Sequence, residues 1–253
     1  MSSIEREPIE GIIVASDLTQ EWLLPWWWEH YQKHNTHPVC FIDLGMSHEM
    51  KKWCQEKGKW IPLVDIKPFF DEIEEDFNFS IAQKEDLPTD LAQDWENVFD
   101  PQVWTYRNIW FKKPLACLLS PYSKSIWIDL DCEIRGSVAP LFSLCENPSG
   151  ISAARVFYHF NSGVFSFKKD APIIREWAIQ SIQKNHLFSG DEEVLSSIIQ
   201  EKKLPIQELP LIYNWSRLYP DNPDTVILHW HGKYGKAVIN HQITTANINS
   251  LFS

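Results

Sequence analysis

The chain predicts an α/β sandwich with a mostly parallel central sheet flanked by helices, in a single domain. Three observations predict it. Largely apolar runs at residues 11–16 (GIIVAS) and 38–43 (PVCFID) alternate with helix-like segments, the order that buries a parallel sheet on both faces. The run at 125–129 (SIWID) is the clearest strand and ends in acid. Ile174, Trp177, Ala178, Ser181 and Ile182 fall at i, i+3, i+4, i+7 and i+8, one buried helix face, and Val194, Leu195, Ile198 and Ile199 repeat the pattern.

In chain order, residues 11–16 form a first strand closing at Asp17. A tryptophan-rich segment at 21–34 follows; the consecutive Trp26, Trp27 and Trp28 obscure its period, and Pro25 suits a first helical turn. Residues 38–43 are a second strand, 47–57 a helix and 60–66 a third strand. Residues 71–100 hold eleven acidic residues against the single Lys84 and read as a solvated excursion. Residues 103–119 read as a helix that Pro114 kinks or restarts. Short strands are expected at 151–155 and 163–167, and a last apolar strand at 226–229, followed by a tight turn at Gly232 and Gly235. No repeat or flexible linker divides the chain.

A chain of 253 residues can bury a sizeable core, and 44% hydrophobic with 23% charged residues excludes wholesale disorder. The net charge of −11 opposes a nucleic-acid partner. Outside 71–100 the chain is nearly neutral, so an anionic ligand meets no opposing field there. The five cysteines, at 40, 54, 117, 132 and 145, form no CxxC pair; Cys40, Cys117 and Cys132 lie within apolar runs and read as small buried hydrophobes in a reducing compartment. The charged N-terminus has no apolar leader core, and no apolar run approaches the roughly 20 residues a bilayer span needs. The expectation is a cytoplasmic protein with no transmembrane segment. The Asn-x-Ser triplets at Asn78 and Asn214 are read as chance.

The strongest chemical feature is Asp129-Leu130-Asp131. Ligands of open α/β sheets bind beyond the carboxyl ends of strands. Carboxylates at i and i+2 in a strand-end turn converge on one hard cation such as Mg²⁺ or Mn²⁺, which also takes substrate phosphates.

Here the chain resembles a family. SKSIWIDLDCEIRGSVAPLF (123–142) is similar to the metal-binding core of GT-A-fold, nucleotide-sugar-dependent glycosyltransferases, especially glycosyltransferase family 8 and its bacterial relatives. IIVASD (12–17) resembles their first strand, YHFNSGVFSF (158–167) their Y-F-N-[AS]-G-V segment, and HWHGKYGK (229–236) their His-x-x-Gly-x-x-Lys block, all in the family's order.

The resemblance implies a metal-dependent transferase taking a hexose from a nucleotide-diphosphate sugar, UDP-glucose or UDP-galactose, to an acceptor hydroxyl with retention. Asp131 is the implied main metal ligand, with Asp129 on the ribose and assisting the metal, and His229 as third ligand for Mn²⁺ (or Mg²⁺). Ala15, Ser16 and Asp17 are implied at the base, although Asp17 also suits a turn or helix cap. Leu130 lies between the two acids. Asn161, Ser162 and Gly163 line the donor sugar, and Lys113 stands where the family carries a basic residue, with Lys112 beside it. Gly232 belongs to the closing block, but Gly235 stands where the family has its lysine, so Lys236 and Lys233 both remain candidates for the diphosphate.

Asp191 and Glu192 replace the family's Asp-Gln; the resemblance puts Asp191 on sugar hydroxyls and Glu192 near the reacting face. The same residues also read as a Ser189–Glu192 capping box opening a helix. The alternatives are a sugar-phosphate nucleotidyltransferase, opposed by the absence of a glycine-rich loop after the first strand, and an inert binding module of the same fold.

Overall fold

The structure is a computed structural model that describes residues 9–63, 80–156 and 159–246. β1 (Glu10–Ser16) is buried on both faces: Ile12 and Val14 join one core layer, Ile13 and Ala15 the other. α1 (Leu24–Gln32) starts with Pro25 in its first turn and packs its tryptophans into the first layer. β2 (Val39–Asp43) leads to α2 (His48–Lys57), capped by Ser47, whose Oγ accepts the Met50 N–H at 3.2 Å, and then to β3 (Lys59–Pro62). The third strand is thus one residue earlier at its start than the sequence suggested, and its expected end at 64–66 lies outside the described residues.

The described part of the acidic stretch is not simply solvated. α3 (Thr89–Phe99) is amphipathic and buries Ala92 and Trp95. α4 (Val103–Trp110) and α5 (Lys113–Leu118) are separate helices, with Pro114 restarting the second. β4 (Lys124–Ile128) and β5 (Cys132–Ile134) flank the two acids. After β6 (Ile151–Val156) and β7 (His159–Lys168), α6 (Pro172–Gln183) and α7 (Asp191–Lys202) bury the two predicted apolar faces. β8 (Gln207–Glu208), β9 (Trp215–Ser216), β10 (Ile227–His229) and α8 (Gly232–Thr245) complete the described chain.

The main sheet has seven strands in the order β3-β2-β1-β4-β7-β6-β8. β3, β2, β1 and β4 are mutually parallel, β7 is antiparallel to β4 and β6, and β8 is parallel to β6. Parallel register brings the carboxyl ends of β1, β2 and β4 to one edge. α1 and α2 cover one face, and α5, α6 and α7 the other. A second sheet, β5-β10-β9, stands beyond that edge. No disulfide joins the five cysteines, all of which are buried.

Candidate active site

Asp129 follows β4 directly. The indole of Trp127, two residues back on the same strand, donates to Asp129 Oδ1 at 2.7 Å. Lys113, at the start of α5, reaches both oxygens, 3.1 Å from Oδ1 and 3.2 Å from Oδ2. The same ammonium donates to Ser162 O and Ser162 Oγ at 3.0 Å each and lies 3.6 Å from Asp191 Oδ2. Burial alone would lower the Lys113 pKa, but Asp129 and Asp191 outweigh it, so the net shift is upward. The lysine is therefore a fixed cation among carboxylates rather than a surface residue, and Lys112 is not its equivalent.

Asp131 is assembled by the second sheet. Antiparallel pairing of β5 with β10 sets His229 opposite Cys132, and the Trp230 N–H is held by Asp131 O at 2.9 Å. His229 Nε2 lies 3.2 Å from Asp131 Oδ1, and Lys236 Nζ donates to Oδ2 at 2.9 Å. Burial would raise the Asp131 pKa; Lys236 and His229 outweigh it and hold the carboxyl well below its usual range. Asp131, Cys132 and His229 each present a donor atom within 4.8 Å of the others. Burial pushes the Cys132 thiol well above its ordinary value, leaving the ionised carboxylate and the imidazole as the ready donors. That oxygen and nitrogen pair fits Mn²⁺ or Mg²⁺. Asp129, expected to assist the metal, is not among these three residues; its oxygens bond to Lys113 and Trp127.

A register shift between Ala153 and Ala154 breaks the β6–β7 pairing where β7 carries Asn161, Ser162 and Gly163. A bulge re-aims side chains, and here Ser162 and Asn161 engage the acids at the start of α7 while Gly163 engages the end of β4. Ser162 Oγ donates to Asp191 Oδ2 at 2.8 Å, Asn161 Nδ2 to Glu192 Oε2 at 2.9 Å, and the Gly163 carbonyl accepts the Asp129 N–H at 2.8 Å. Gly163 is required sterically: a Cβ there would lie 2.3 Å from His229 Cε1. Burial raises both acids at the start of α7, Asp191 against the pull of Lys113, and Glu192 to about 7.

The capping box differs from expectation. The N-cap is Gly190, and Glu193 rather than Glu192 reaches back, its Oε2 accepting the Ser189 N–H at 2.7 Å. Glu192 is thereby released from capping and faces Asn161.

Asp17 has the turn role: its Oδ1 accepts from Thr19 N–H (2.8 Å), Thr19 Oγ1 (2.7 Å) and Gln20 N–H (3.2 Å). Ser16 is buried, its Oγ donating to Asp17 O at 3.1 Å. Ala15, Leu130, Asp129, Asp131, Lys113 and Lys236 line one cleft at the sheet edge. It adjoins a second, open cleft of about 710 Å³, and the two share Gln20, Tyr106 and Lys236.

The tight turn expected at Gly232 and Gly235 is instead the first turn of α8. Gly232 takes φ +79°, which favours glycine. At Gly235 a Cβ would fall 1.4 Å from Trp230 O, so the close approach of the β10–α8 connection to the helix is what requires that glycine. Helical spacing separates the two lysines: Lys236 goes to Asp131, while Lys233 pairs with Asp100 at 3.0 Å.

No protein-family profile matches the chain, and no curated protein matches it by sequence. Solved structures do match. The glycosyltransferase GlyE of Streptococcus pneumoniae TIGR4 superposes with a TM-score of 0.57 at 16% identity, over 96% of this chain and 64% of that one. The galactosyltransferase LgtC, solved with donor and acceptor sugar analogs, gives 0.55 at 12% identity, over 93% and 95%. Mouse xyloside xylosyltransferase 1 gives 0.52 at 14%, over 88% and 97%. The fold is that of GT-A glycosyltransferases. The chain spans just under two thirds of the GlyE chain's length.

Sequence reasoning missed three parts of this GT-A edge. Trp127 was detectable, since strand alternation puts it on the same face as Asp129. Arg107 was not. It is fully buried, sits over the rings of Trp95, Trp104 and Phe111, and donates to the carbonyls of Asn185 (2.9 Å), Phe188 (2.5 Å) and Ser189 (2.8 Å), fixing the loop that leads into α7. Asn214, also missed, is buried between Asn161 and His229. Tyr158 of the sugar-lining block lies outside the described residues.

Proposed function

We propose that this protein is a divalent-cation-dependent glycosyltransferase that moves a hexose from a UDP-sugar, UDP-glucose or UDP-galactose, to an acceptor hydroxyl with retention. The observation that carries the reading is Asp131 set between His229 and Lys236 at the carboxyl edge of the sheet, beside Lys113, Asp129 and Asp191. The fold shared with LgtC and xyloside xylosyltransferase 1 supports sugar transfer as the reaction. The buried, unbridged thiols support a reducing compartment, and no helix among the described residues is long and apolar enough to cross a membrane.

Asp131 and His229 would hold Mn²⁺ (or Mg²⁺), which when bound supplies positive charge to the leaving diphosphate. Asp129 faces the ribose. With Asp131 given over to that cation, Lys236 would be free to turn to a phosphate oxygen, and Lys233 would add charge at the rim with Gly232 in the same turn. Ala15, Ser16 and the turn at Asp17 border the base. Asn161, Ser162 and Gly163 lie along the sugar with Asp191, whose upward pKa shift from burial Lys113 opposes. Glu192 stands at the sugar's reacting face, where a carboxylate stabilises positive charge developing at the anomeric carbon. Preorganised charge of this kind avoids reorganisation during reaction.

The test is a panel of UDP-glucose, UDP-galactose and their N-acetyl forms with Mn²⁺, read as UDP release. Release that requires Mn²⁺ and Asp131 is expected. Pyrophosphate-dependent formation of a nucleoside triphosphate instead, or binding without turnover of any donor, would overturn it.

A further inference from the structure

One chain of side-chain hydrogen bonds crosses the site, and its direction is set by the backbone. The Gly163 N–H can only donate, and it donates to Asn161 Oδ1 at 2.9 Å. That fixes the Asn161 amide with its nitrogen toward Glu192 Oε2, 2.9 Å away. Asn161 Oδ1 also receives Asn214 Nδ2 at 2.7 Å. The Asn214 amide is oriented in turn, with Oδ1 toward His229 Nδ1 at 2.9 Å. An amide oxygen has no proton to give, so Nδ1 of His229 carries the hydrogen. The remaining ring nitrogen, Nε2, is the one 3.2 Å from Asp131 Oδ1. No amide in the chain can be flipped without setting two acceptors or two donors face to face.

Asn214 is only 3% exposed and lies just ahead of β9, whose parallel pairing with β10 sets Ser216 opposite His229. Its side chain bonds to two groups of the site, one from β7 and one from β10.

We propose that Asn214 is a positioning residue: it holds the proton on His229 Nδ1, so that Nε2 is the nitrogen presented to a cation at Asp131, and through Asn161 it keeps Glu192 in register with that cation. This rests on the reading of Asp131 and His229 as cation ligands. Partners of this kind fix the ring orientation and tautomer of a ligating histidine. The Asn-x-Ser triplet that begins at Asn214 is thus occupied by an interior role.

The experiment is calorimetric titration of MnCl₂ into protein saturated with UDP, for wild type, Asn214→Leu, Asn214→Asp, His229→Ala and Asp131→Ala. Leucine is close to asparagine in size and removes both bonds. Aspartate keeps the acceptor for Nδ1–H and loses the donor to Asn161. The expected result is a roughly 10- to 100-fold weaker Mn²⁺ affinity in Asn214→Leu, the range found for outer partners of metal ligands, and affinity close to wild type in Asn214→Asp with a reduced kcat. ¹⁵N spectra of histidine-labelled protein loaded with Mg²⁺ and UDP should show a protonated His229 Nδ1 in wild type and in Asn214→Asp, with the resonance assigned by its loss in His229→Ala. Wild-type Mn²⁺ affinity in Asn214→Leu, with His229→Ala defective, overturns the role of Asn214 alone. If the leucine variant does not fold, an unprotonated Nδ1 in Asn214→Asp overturns it. Mn²⁺ binding untouched in both His229→Ala and Asp131→Ala overturns the cation reading beneath it.

Discussion

The ammonium of Lys236 rests 2.9 Å from Asp131 Oδ2, so the second acid of the strand-end pair already has a cationic partner without any ligand. The two meet because α8 begins three residues after β10 and its first turn carries Lys236 back over the β4–β5 connection. Removing that partner leaves a buried carboxylate with His229 as its remaining ion-pair partner among the described residues. Lys236→Met should therefore cost the ligand-free protein about 3 kcal/mol, the scale for breaking a buried pair. It should also tighten Mn²⁺ binding in the absence of nucleotide, since a competing cation has gone, while lowering UDP-sugar turnover. Urea unfolding and calorimetry check both; an unchanged unfolding midpoint would mean that the pair does not form in solution.

Glu192 makes a pH prediction. Its pKa is raised from 4.5 to about 7, first by burial and then by Asp191, with Lys113 and His229 pulling the other way and Glu193 adding slightly. Between these values the native state binds a proton that the unfolded chain releases. Stability thus falls as pH rises through that window and levels off above about 7. Glu192→Gln has no such loss. Its advantage over wild type should grow between pH 5 and 8 to on the order of 3 kcal/mol, although its kcat falls. Paired denaturant curves at the two pH values measure this, and parallel curves would show that Glu192 titrates normally.

Gly163→Ala is expected to act on the site more than on the fold. The new Cβ would meet His229 at 2.3 Å from Cε1 and 2.6 Å from Nδ1, and Asn161 Oδ1 at 2.9 Å. The imidazole must leave its line between Asp131 and Asn214. Overpacking of this kind costs about 1–3 kcal/mol, whereas Mn²⁺ affinity should fall by at least tenfold, about 1.4 kcal/mol or more. Calorimetry beside a melting curve separates the two, and unaltered affinity would place the cation elsewhere.

Arg107→Met should be the most damaging of these changes to stability. The guanidinium serves three carbonyls and lies over three aromatic rings, with burial lowering its pKa to about 10. Methionine keeps the apolar stem and removes the donors to all three carbonyls, of which Asn185 O keeps only the Phe188 N–H at 3.5 Å, at about 1–3 kcal/mol for each buried carbonyl left unpaired. Arg107→Lys should recover only part, since a single ammonium cannot reach Asn185, Phe188 and Ser189 together. Equal stability of the methionine variant and wild type would contradict this role.

Much of the fold was legible because the signals were local. The apolar runs of β1 and β2, the Ser47 cap of α2, Pro25 and Pro114 in first helical turns, and the buried stripe of α6 each depend on neighbours within one or two turns of chain. The failures were local too, where two patterns competed. Gly190 with three following acids can cap a helix in more than one register, and Glu193 took the role read for Glu192. Two glycines three apart read as a turn, yet Gly235 is there because Trp230 O leaves no room for a side chain in α8.

By itself the sequence determined the α/β class, the strand-end acids at Asp129 and Asp131, the blocks around Asn161 and His229, and the excess of acid that disfavours a polyanion. Periodicity and residue chemistry are carried by the chain one element at a time, so these could be read directly. Only the tertiary structure decided the division of labour among them. Asp129 goes to Lys113 and Trp127, Asp131 goes to His229 and Lys236, and Asn214 closes the line from His229 to Asn161. Those partners stand 15 to 105 residues apart wherever they come from different elements. They meet because the β5-β10-β9 sheet and the β6–β7 bulge carry them to one edge of the main sheet. Sheet pairing and register over such separations depend on the packing of the whole core, which no local pattern encodes.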